Sequence, residues 1–186
     1  HPGIDFAGIA SAVIRNIRNF GDNRRPVGAS TITQQVAKNF LLTSEVSLAR
    51  KVKEAILAFR IEHAFSKDRI LELYLNEIYL GLGSYGVAAA ALNYFDKSLD
   101  ELSLEETALL AALPKAPNNY HPIRRRKAAQ ARRNWVLGRM QEDGVISPLE
   151  ARRASSYPLL MQRPNTTRIL EAGYFAEEVR RDLLQR

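Results

Sequence analysis

The 186-residue chain is 46% hydrophobic and 25% charged, as expected of a folded globular protein and not of a disordered one. It contains no cysteine, so neither a disulfide nor a thiolate metal site can stabilise it. Its 27 Lys and Arg outnumber its 20 Asp and Glu, and the formal charge of +7 suits an anionic partner such as a nucleic acid, a phosphate-rich substrate or anionic lipid headgroups.

The N-terminal residues His1-Pro2-Gly3 include neither an initiator methionine nor a signal peptide, so we interpret this start as a cut within a longer sequence. In residues 9–20, apolar side chains recur on one side of a predicted helix, with Arg15 and Arg18 beside them. This pattern predicts a segment that dips into lipid headgroups. No apolar run approaches the roughly 20 residues that a membrane-spanning helix needs.

Helix signals dominate the rest of the chain. Capping boxes, in which a Ser or Thr precedes a Glu or Gln by three residues, predict helix starts at Thr31, Ser103 and Ser147. Apolar residues recur every three or four positions over 47–64 and again over 70–80. Because no segment alternates with a period of two, the sequence predicts an all-α protein of roughly eight to ten helices.

Glycine, proline, asparagine and aspartate cluster at four predicted breaks, which are 20–28, 81–86, 114–122 and 157–165. Beyond the last break, residues 169–186 predict a separate amphipathic helix. We interpret that helix as part of a linker.

Glu54 lies on a predicted helix that is apolar nearly all round, so we expect the helix to be largely buried. The stripe opposite Glu54 consists of Val52, Ala55, Ile56 and Phe59. A buried carboxylate is costly unless a cation pairs with it, and Arg50 and Lys51 lie one turn before it. Two interpretations follow: a structural ion pair, or a carboxylate with two cations at the edge of a cleft.

A second candidate site begins at Gly28 and continues to Asn39. Gly28 lets the backbone approach a ligand closely, and the helix start that follows offers N–H groups to an anion. Gln34 and Lys38 lie one turn apart on one face, and amides with a lysine suit a ligand rich in hydroxyls and phosphates. An ordinary capped helix with a solvated face explains the same pattern.

Three further sequence patterns are weaker indications of a functional site. The glycines at 81–86 match the dinucleotide-binding fingerprint in spelling, but a helical pattern precedes them where that fingerprint needs a strand. The basic residues at 124–127 and 132–133 fit a nucleic-acid patch, a solvated helix face or a contact with lipid phosphates. The histidines are too scattered along the sequence to predict a metal site: His1, His63 and His121.

Taken in order, these segments resemble the peptidoglycan glycosyltransferase family, found in class A penicillin-binding proteins and monofunctional transglycosylases. Residues 174–180 also resemble, more weakly, the segment that leads to the transpeptidase domain of the bifunctional class. The main matches, in the family's order and at compatible spacings, are His1-Pro2-Gly3-Ile4-Asp5, Gly28-Ala29-Ser30-Thr31-Ile32-Thr33-Gln34-Gln35 with Lys38-Asn39, Arg50-Lys51-Val52-Lys53-Glu54, Lys67 to Tyr79, Leu113-Pro114-Lys115-Ala116-Pro117 and Arg132-Arg133-Asn134-Trp135-Val136-Leu137.

The resemblance implies an all-α, lysozyme-like domain over residues 1–163 with a small membrane-associated lobe, and at 164–186 the start of a linker towards a possible transpeptidase domain. It implies an inverting glycosyltransferase that polymerises lipid II into β-1,4 glycan strands and releases undecaprenyl pyrophosphate. The implied partners are lipid II, a lipid-linked glycan strand and other cell-wall synthesis proteins, with no nucleic acid. The implied location is the periplasmic face of the bacterial inner membrane.

The resemblance also assigns roles to single residues. Glu54 matches the family's second glutamate, a catalytic residue that orients the site or assists at the pyrophosphate, with or without a divalent cation (Mg²⁺ or Mn²⁺). The family's general base is a glutamate shortly before the motif histidine, so it would precede His1, and we expect activity from the parent protein more than from this fragment alone. The implied substrate-binding residues are Ser30, Thr31, Gln34, Gln35, Lys38, Asn39, Arg50, Lys51, Asn76 and Tyr79.

Two rival functions remain for comparison. A lysozyme-like muramidase or lytic transglycosylase cleaves a neutral glycosidic bond, so it has no need for Lys38, Arg50 and Lys51 around Glu54. A basic helical module that binds nucleic acid would place its cations on an exposed face and bind in a salt-sensitive way, and it would leave Glu54 unexplained.

Overall fold

The computed structural model describes residues 30–41 and 48–162, together with several single positions before residue 19. The predicted membrane-dipping segment at 9–20, the break at 20–28 and the predicted helix at 169–186 therefore lie largely or wholly outside the described residues. The chain forms two compact units, His1–Glu77 and Ile78–Arg186.

The first unit contains three described helices: α1 at Ile32–Leu41, α2 at Leu48–Ala64 and α3 at Lys67–Glu77. Helix α1 packs against both α2 and α3. Small and branched apolar side chains are buried in this unit, and these are Val36, Ala37, Ala58 and Ile70. The predicted helix starts near 31 and 47 are confirmed, but the helix predicted over 70–80 begins earlier and ends at Glu77.

Helix α2 is not buried all round, so that expectation was wrong. Val52, Ile56 and Phe59 are 59%, 51% and 49% exposed, whereas Ala58 and Glu54 on the other face are buried. The reason is architectural, because α1 and α3 are the helices of this unit that contact α2, and they leave its outer stripe uncovered. Periodicity identified the helix correctly but could not say how many neighbours would cover it.

The second unit opens with a small antiparallel hairpin and continues, as far as residue 162, with four α-helices. The hairpin joins β1 (Tyr79–Gly81) to β2 (Ser84–Tyr85), and short 3-10 turns follow at Leu99–Glu101 and Leu113–Lys115. The helices are α4 at Val87–Phe95, α5 at Leu104–Ala112, α6 at Arg126–Glu142 and α7 at Pro148–Ser156. Helix α6 packs against α5 and α7, with Ala108, Leu137 and Ala154 at the centre of their shared core.

The sequence analysis predicted no strand, so the hairpin is a correction to it. Gly81 adopts a φ of +92° and approaches the Tyr94 hydroxyl so closely that a Cβ there would lie 2.6 Å from it. That hydroxyl donates to the Leu80 carbonyl at 2.9 Å, and burial, with Tyr79 nearby, raises the pKa of Tyr94 to about 12. The glycines thus build a tight turn against α4, and β1 pairs with β2 instead of forming a βαβ unit.

The predicted capping boxes are all present. In the second unit, the Glu106 carboxylate accepts from the Ser103 N–H at 2.9 Å, and the Glu150 carboxylate accepts from the Ser147 N–H at 2.7 Å. These contacts satisfy N–H groups at helix starts that have no partner within the helix. The all-α prediction is confirmed, with the two-stranded hairpin as its one exception among the described residues.

His121 is buried in the turn before α6 and acts as a hydrogen-bond acceptor. Its Nδ1 accepts from the backbone N–H groups of Ile123 and Arg124, at 3.2 and 3.4 Å. Burial, and to a smaller degree the nearby Arg124, lower the pKa of His121 below its ordinary value of 6.5. The neutral imidazole is therefore the form that the folded chain prefers.

We expect His121 to make folding stability sensitive to mild acid. Because its pKa is lower in the folded than in the unfolded chain, its contribution is complete above pH 6.5, the unfolded value, and is lost as the pH falls from there through the lower folded value. Thermal unfolding between pH 7.5 and 5.5 should show a falling Tm. In a His121→Asn variant, whose amide oxygen can still accept these N–H groups, the fall should be much smaller. An equal fall in both proteins would contradict this.

Candidate active site

The candidate active site is centred on the inner face of α2. Glu54, Ala58 and Glu62 follow one another at intervals of four residues, so they lie along one stripe of the helix. Ala58 is fully buried and Glu54 is 1% exposed. Since an isolated buried carboxylate is costly, the partners of Glu54 decide what it can do.

Lys51 joins Glu54 to the segment before α1. Its Nζ donates to Glu54 Oε1 at 2.5 Å and to Ser30 Oγ at 2.8 Å. The Lys51 side chain is 51% exposed, whereas that of Glu54 is 2% exposed. The lysine ammonium therefore lies at the boundary between a buried carboxylate and solvent. The predicted Lys51–Glu54 pair is present, and it brings Ser30 to the same place.

The start of α1 is held by a reciprocal cap. The Thr31 N–H donates to Gln34 Oε1 at 2.9 Å, and the Gln34 N–H donates to Thr31 Oγ1 at 3.2 Å. Gln34 is buried, so its side-chain oxygen is engaged in fixing this turn. The capped-helix interpretation thus accounts for the contacts of Gln34, and substrate binding by Gln34 and Thr31 stays a prediction.

The remaining predicted site residues differ in exposure. Lys38 and Asn39 are exposed in the second half of α1, and Gln35 is half-buried. Arg50 is half-buried, one helical turn before Glu54. Asn76 is exposed in the last turn of α3.

Tyr79 belongs to the second unit. Its ring lies beside that of Tyr85 across the hairpin, with centroids 5.1 Å apart. The binding roles of these six residues, from Gln35 to Tyr79, remain predictions from the resemblance.

A second carboxylate on α2, that of Glu62, was not predicted, and its side chain is only 7% exposed. Glu62 Oε1 accepts from Thr33 Oγ1 at 2.5 Å, and Glu62 Oε2 accepts from Lys67 Nζ at 2.5 Å. Burial favours the neutral acid, but Lys67 and the Thr33 hydroxyl outweigh it and lower the pKa of Glu62. The signal was available in the sequence, because Glu62 follows Glu54 by two helical turns.

The described residues do not form a metal site of their own. No group of three acidic or histidine side chains lies together in the described ranges. At Glu54 the neighbouring cation is the Lys51 ammonium, bound to Oε1. A divalent ion here would depend on oxygen ligands from elsewhere, such as substrate phosphates, as Mg²⁺ often does.

Half of the basic cluster of the second unit has a structural role. Arg126 donates to the Leu159 carbonyl at 2.8 Å, and Arg133 is fully buried. The Arg132 guanidinium stacks over the Trp135 ring, 3.8 Å from its centroid. Three of the six basic residues in this cluster are therefore engaged in packing or hydrogen bonds, which leaves a smaller exposed patch than the sequence indicated.

Comparison with known proteins places these features in a family. The sequence profile described as Transglycosylase matches residues 1–141, which is most of the chain. The chain belongs to the transglycosylase family. It is 50% identical to penicillin-binding protein 1A of Rickettsia felis over all of its length, and 51% identical to that of Aquifex aeolicus over 97% of its length. It spans only 23% and 24% of those two relatives.

A solved structure agrees with the transglycosylase assignment. The chain is similar to the crystal structure of penicillin-binding protein 1A from Haemophilus influenzae, with a TM-score of 0.51 and 35% identity. The match covers 88% of this chain and 21% of that one. The predicted all-α, lysozyme-like fold and the predicted kinship with class A penicillin-binding proteins are confirmed. Within the described part of this transglycosylase chain, no helix is both long and apolar enough to cross a bilayer.

Proposed function

We propose that this transglycosylase domain polymerises lipid II into β-1,4 glycan strands of peptidoglycan and releases undecaprenyl pyrophosphate. The observation that carries the proposal is the buried Glu54 bound to the half-exposed Lys51. A cation held in this way is fixed in position before any substrate arrives. Fixed positive charge is what a departing diphosphate requires.

Lys51 is suited to bind a phosphate oxygen as well as its protein partners. An ammonium group has three N–H donors, and among the described residues Glu54 and Ser30 take two of them. The third can donate to a phosphate oxygen in a charge-assisted hydrogen bond. Arg50, and Lys38 on α1, would add positive charge as negative charge develops on the leaving group.

The reaction would invert the anomeric carbon, because the acceptor 4-hydroxyl displaces the diphosphate directly. A diphosphate is a weak base and needs little proton donation, whereas the acceptor hydroxyl must lose its proton to a general base. The resemblance assigns that base to a glutamate ahead of His1. Glu54 would then act on the leaving-group side, by holding Lys51 in position.

The domain boundaries and location are part of the same proposal. Residues 1–163 would form the glycosyltransferase domain, and 164–186 would begin a linker to a further domain, as the length of the relatives allows. A lipid-linked substrate requires the domain to work at a membrane surface, here the periplasmic face of the inner membrane. The surplus of basic residues suits the anionic headgroups there.

The decisive test is incubation of the full-length protein with labelled lipid II, followed by gel separation of the products. We expect long glycan strands that a muramidase digests. A protein that only shortens preformed strands would instead be a lytic enzyme, and absence of any product would contradict the proposal.

The same assay tests the divalent cation. If Mg²⁺ or Mn²⁺ assists at the diphosphate, chelation with EDTA should lower the initial rate, and the added ion should restore it. The described protein groups supply a single carboxylate at this place, so the ion should bind weakly in the absence of lipid II. Unchanged rates after chelation would remove the ion from the proposal.

A further inference from the structure

The inner face of α2 carries two carboxylates in matching surroundings. Glu54 is bound to Lys51, which also binds the hydroxyl of Ser30. Glu62, eight residues later, binds both Lys67 and the hydroxyl of Thr33. The segment that opens α1 is thus fastened to α2 at two points, directly at Thr33 and through Lys51 at Ser30.

The cap of α1 connects these two points rigidly. The reciprocal hydrogen bonds between Thr31 and Gln34 close the turn that lies between Ser30 and the body of α1. Thr33 is itself buried within this turn. A displacement of Thr33 would therefore move Ser30, and with it the hydroxyl that helps to hold the Lys51 ammonium.

Stability alone is a weak explanation for the Glu62 cluster. The Lys67 side chain is 63% exposed, and an ion pair with one partner in solvent contributes little to stability. What charged, directional contacts provide is a defined geometry. Lys67 opens α3, so the cluster fixes the start of α1 against both α2 and α3.

We infer that Glu62 is a positioning residue for the proposed glycosyl transfer: through Thr33 it sets the start of α1, and so places Ser30 and Lys51 beside Glu54. This inference rests on the proposed function. Glu62 would not itself contact the reacting groups. Its effect reaches the diphosphate site through two hydrogen bonds and one capped turn.

Four variants of the full-length protein test this with lipid II as substrate. Thr33→Val replaces the hydroxyl with a methyl group, and Thr33→Ser keeps the hydroxyl. Glu62→Ala removes the acceptor of that hydroxyl, and a double variant combines Thr33→Val with Glu62→Ala. We expect Thr33→Val and Glu62→Ala each to lower kcat about 10-fold with KM changed less than about twofold, because small misplacement near the reacting groups is costly. Thr33→Ser should recover most of the turnover, and the double variant should lose no more than either single one.

Controls separate positioning from general stability. Glu142→Gln removes an exposed carboxylate that pairs with Arg139 in the second unit, and it should leave kcat and Tm unchanged. The Tm of every variant is measured beside its activity, and if Glu62→Ala fails to fold, the Thr33 pair decides the question alone. Wild-type kcat in Thr33→Val, or losses that Thr33→Ser shares equally, would overturn the inference. Absence of strands from the wild-type protein would instead contradict the proposed function.

Discussion

Replacing Lys51 with alanine in the full-length protein should abolish polymerisation of lipid II, with a loss of at least about 100-fold in rate. Removing one preorganised donor from a site of developing charge typically costs this much. Glu54→Gln should have a comparable effect, because the amide keeps the shape of the side chain but does not hold the ammonium as an ion pair. Labelled strands on a gel give the measurement.

The matched control for these variants is Lys53→Ala. Lys53 is an exposed lysine on the same helix, one residue before Glu54, and consecutive residues do not share a helix face. It should polymerise lipid II at close to the wild-type rate, as long as its Tm is unchanged. Normal strand synthesis by Lys51→Ala or by Glu54→Gln would show that the site has been assigned to the wrong residues.

Replacing Arg133 with methionine should destabilise the second unit by about 3 kcal/mol, which lowers Tm by about 10 °C in a chain of this size. Arg133 is fully buried, and burial lowers its pKa. Its guanidinium donates to the carbonyls of Ser155 and Tyr157 at 3.0 and 2.8 Å, and to the Asn134 side chain. Without it, two carbonyls at the C-terminal end of α7 lose their donor in a partly buried place.

The neighbouring arginine provides the comparison. Arg132→Met removes a guanidinium that stacks on the half-exposed Trp135, a contact worth about 1 kcal/mol. Its Tm should fall by only about 3 °C. Differential scanning calorimetry of the two variants measures both values, and a loss at position 133 no larger than at position 132 would contradict the buried role of Arg133.

The helices and their caps were predictable because their signals are local. A capping box spans four residues, and the structure confirms those at Thr31, Ser103 and Ser147. The hairpin at 79–85 was missed because its strands are only two and three residues long, too short for a period of two to be visible. Its geometry depends on a close approach to Tyr94, a contact distant in sequence.

The site was predictable only where its partners lie on one helix. Lys51 and Glu54 are three residues apart, so periodicity places them together. The contacts of Ser30 with Lys51 and of Thr33 with Glu62 depend on how α1 packs on α2, which composition and spacing do not reveal. The exposure of the outer stripe of α2 was missed for the same reason. The sequence shows which residues of the helix are apolar, but it does not show which of them another helix covers.

The spacing along α2 has a consequence for how this stretch can vary. Glu54 and Glu62 lie on one slanted row of the helix, at positions i and i+8, because eight residues make about 2.2 turns and leave the two directions only about 80° apart. One inserted or deleted residue between them would turn Glu62 by about 100° relative to Glu54, so that Glu62 would no longer face Thr33 while Glu54 stays beside Lys51. Exchanges of the exposed side chains between the two carboxylates are compatible with that geometry, but a change of length is not. Between positions 54 and 62, the number of residues is therefore more tightly fixed than the identity of the exposed ones.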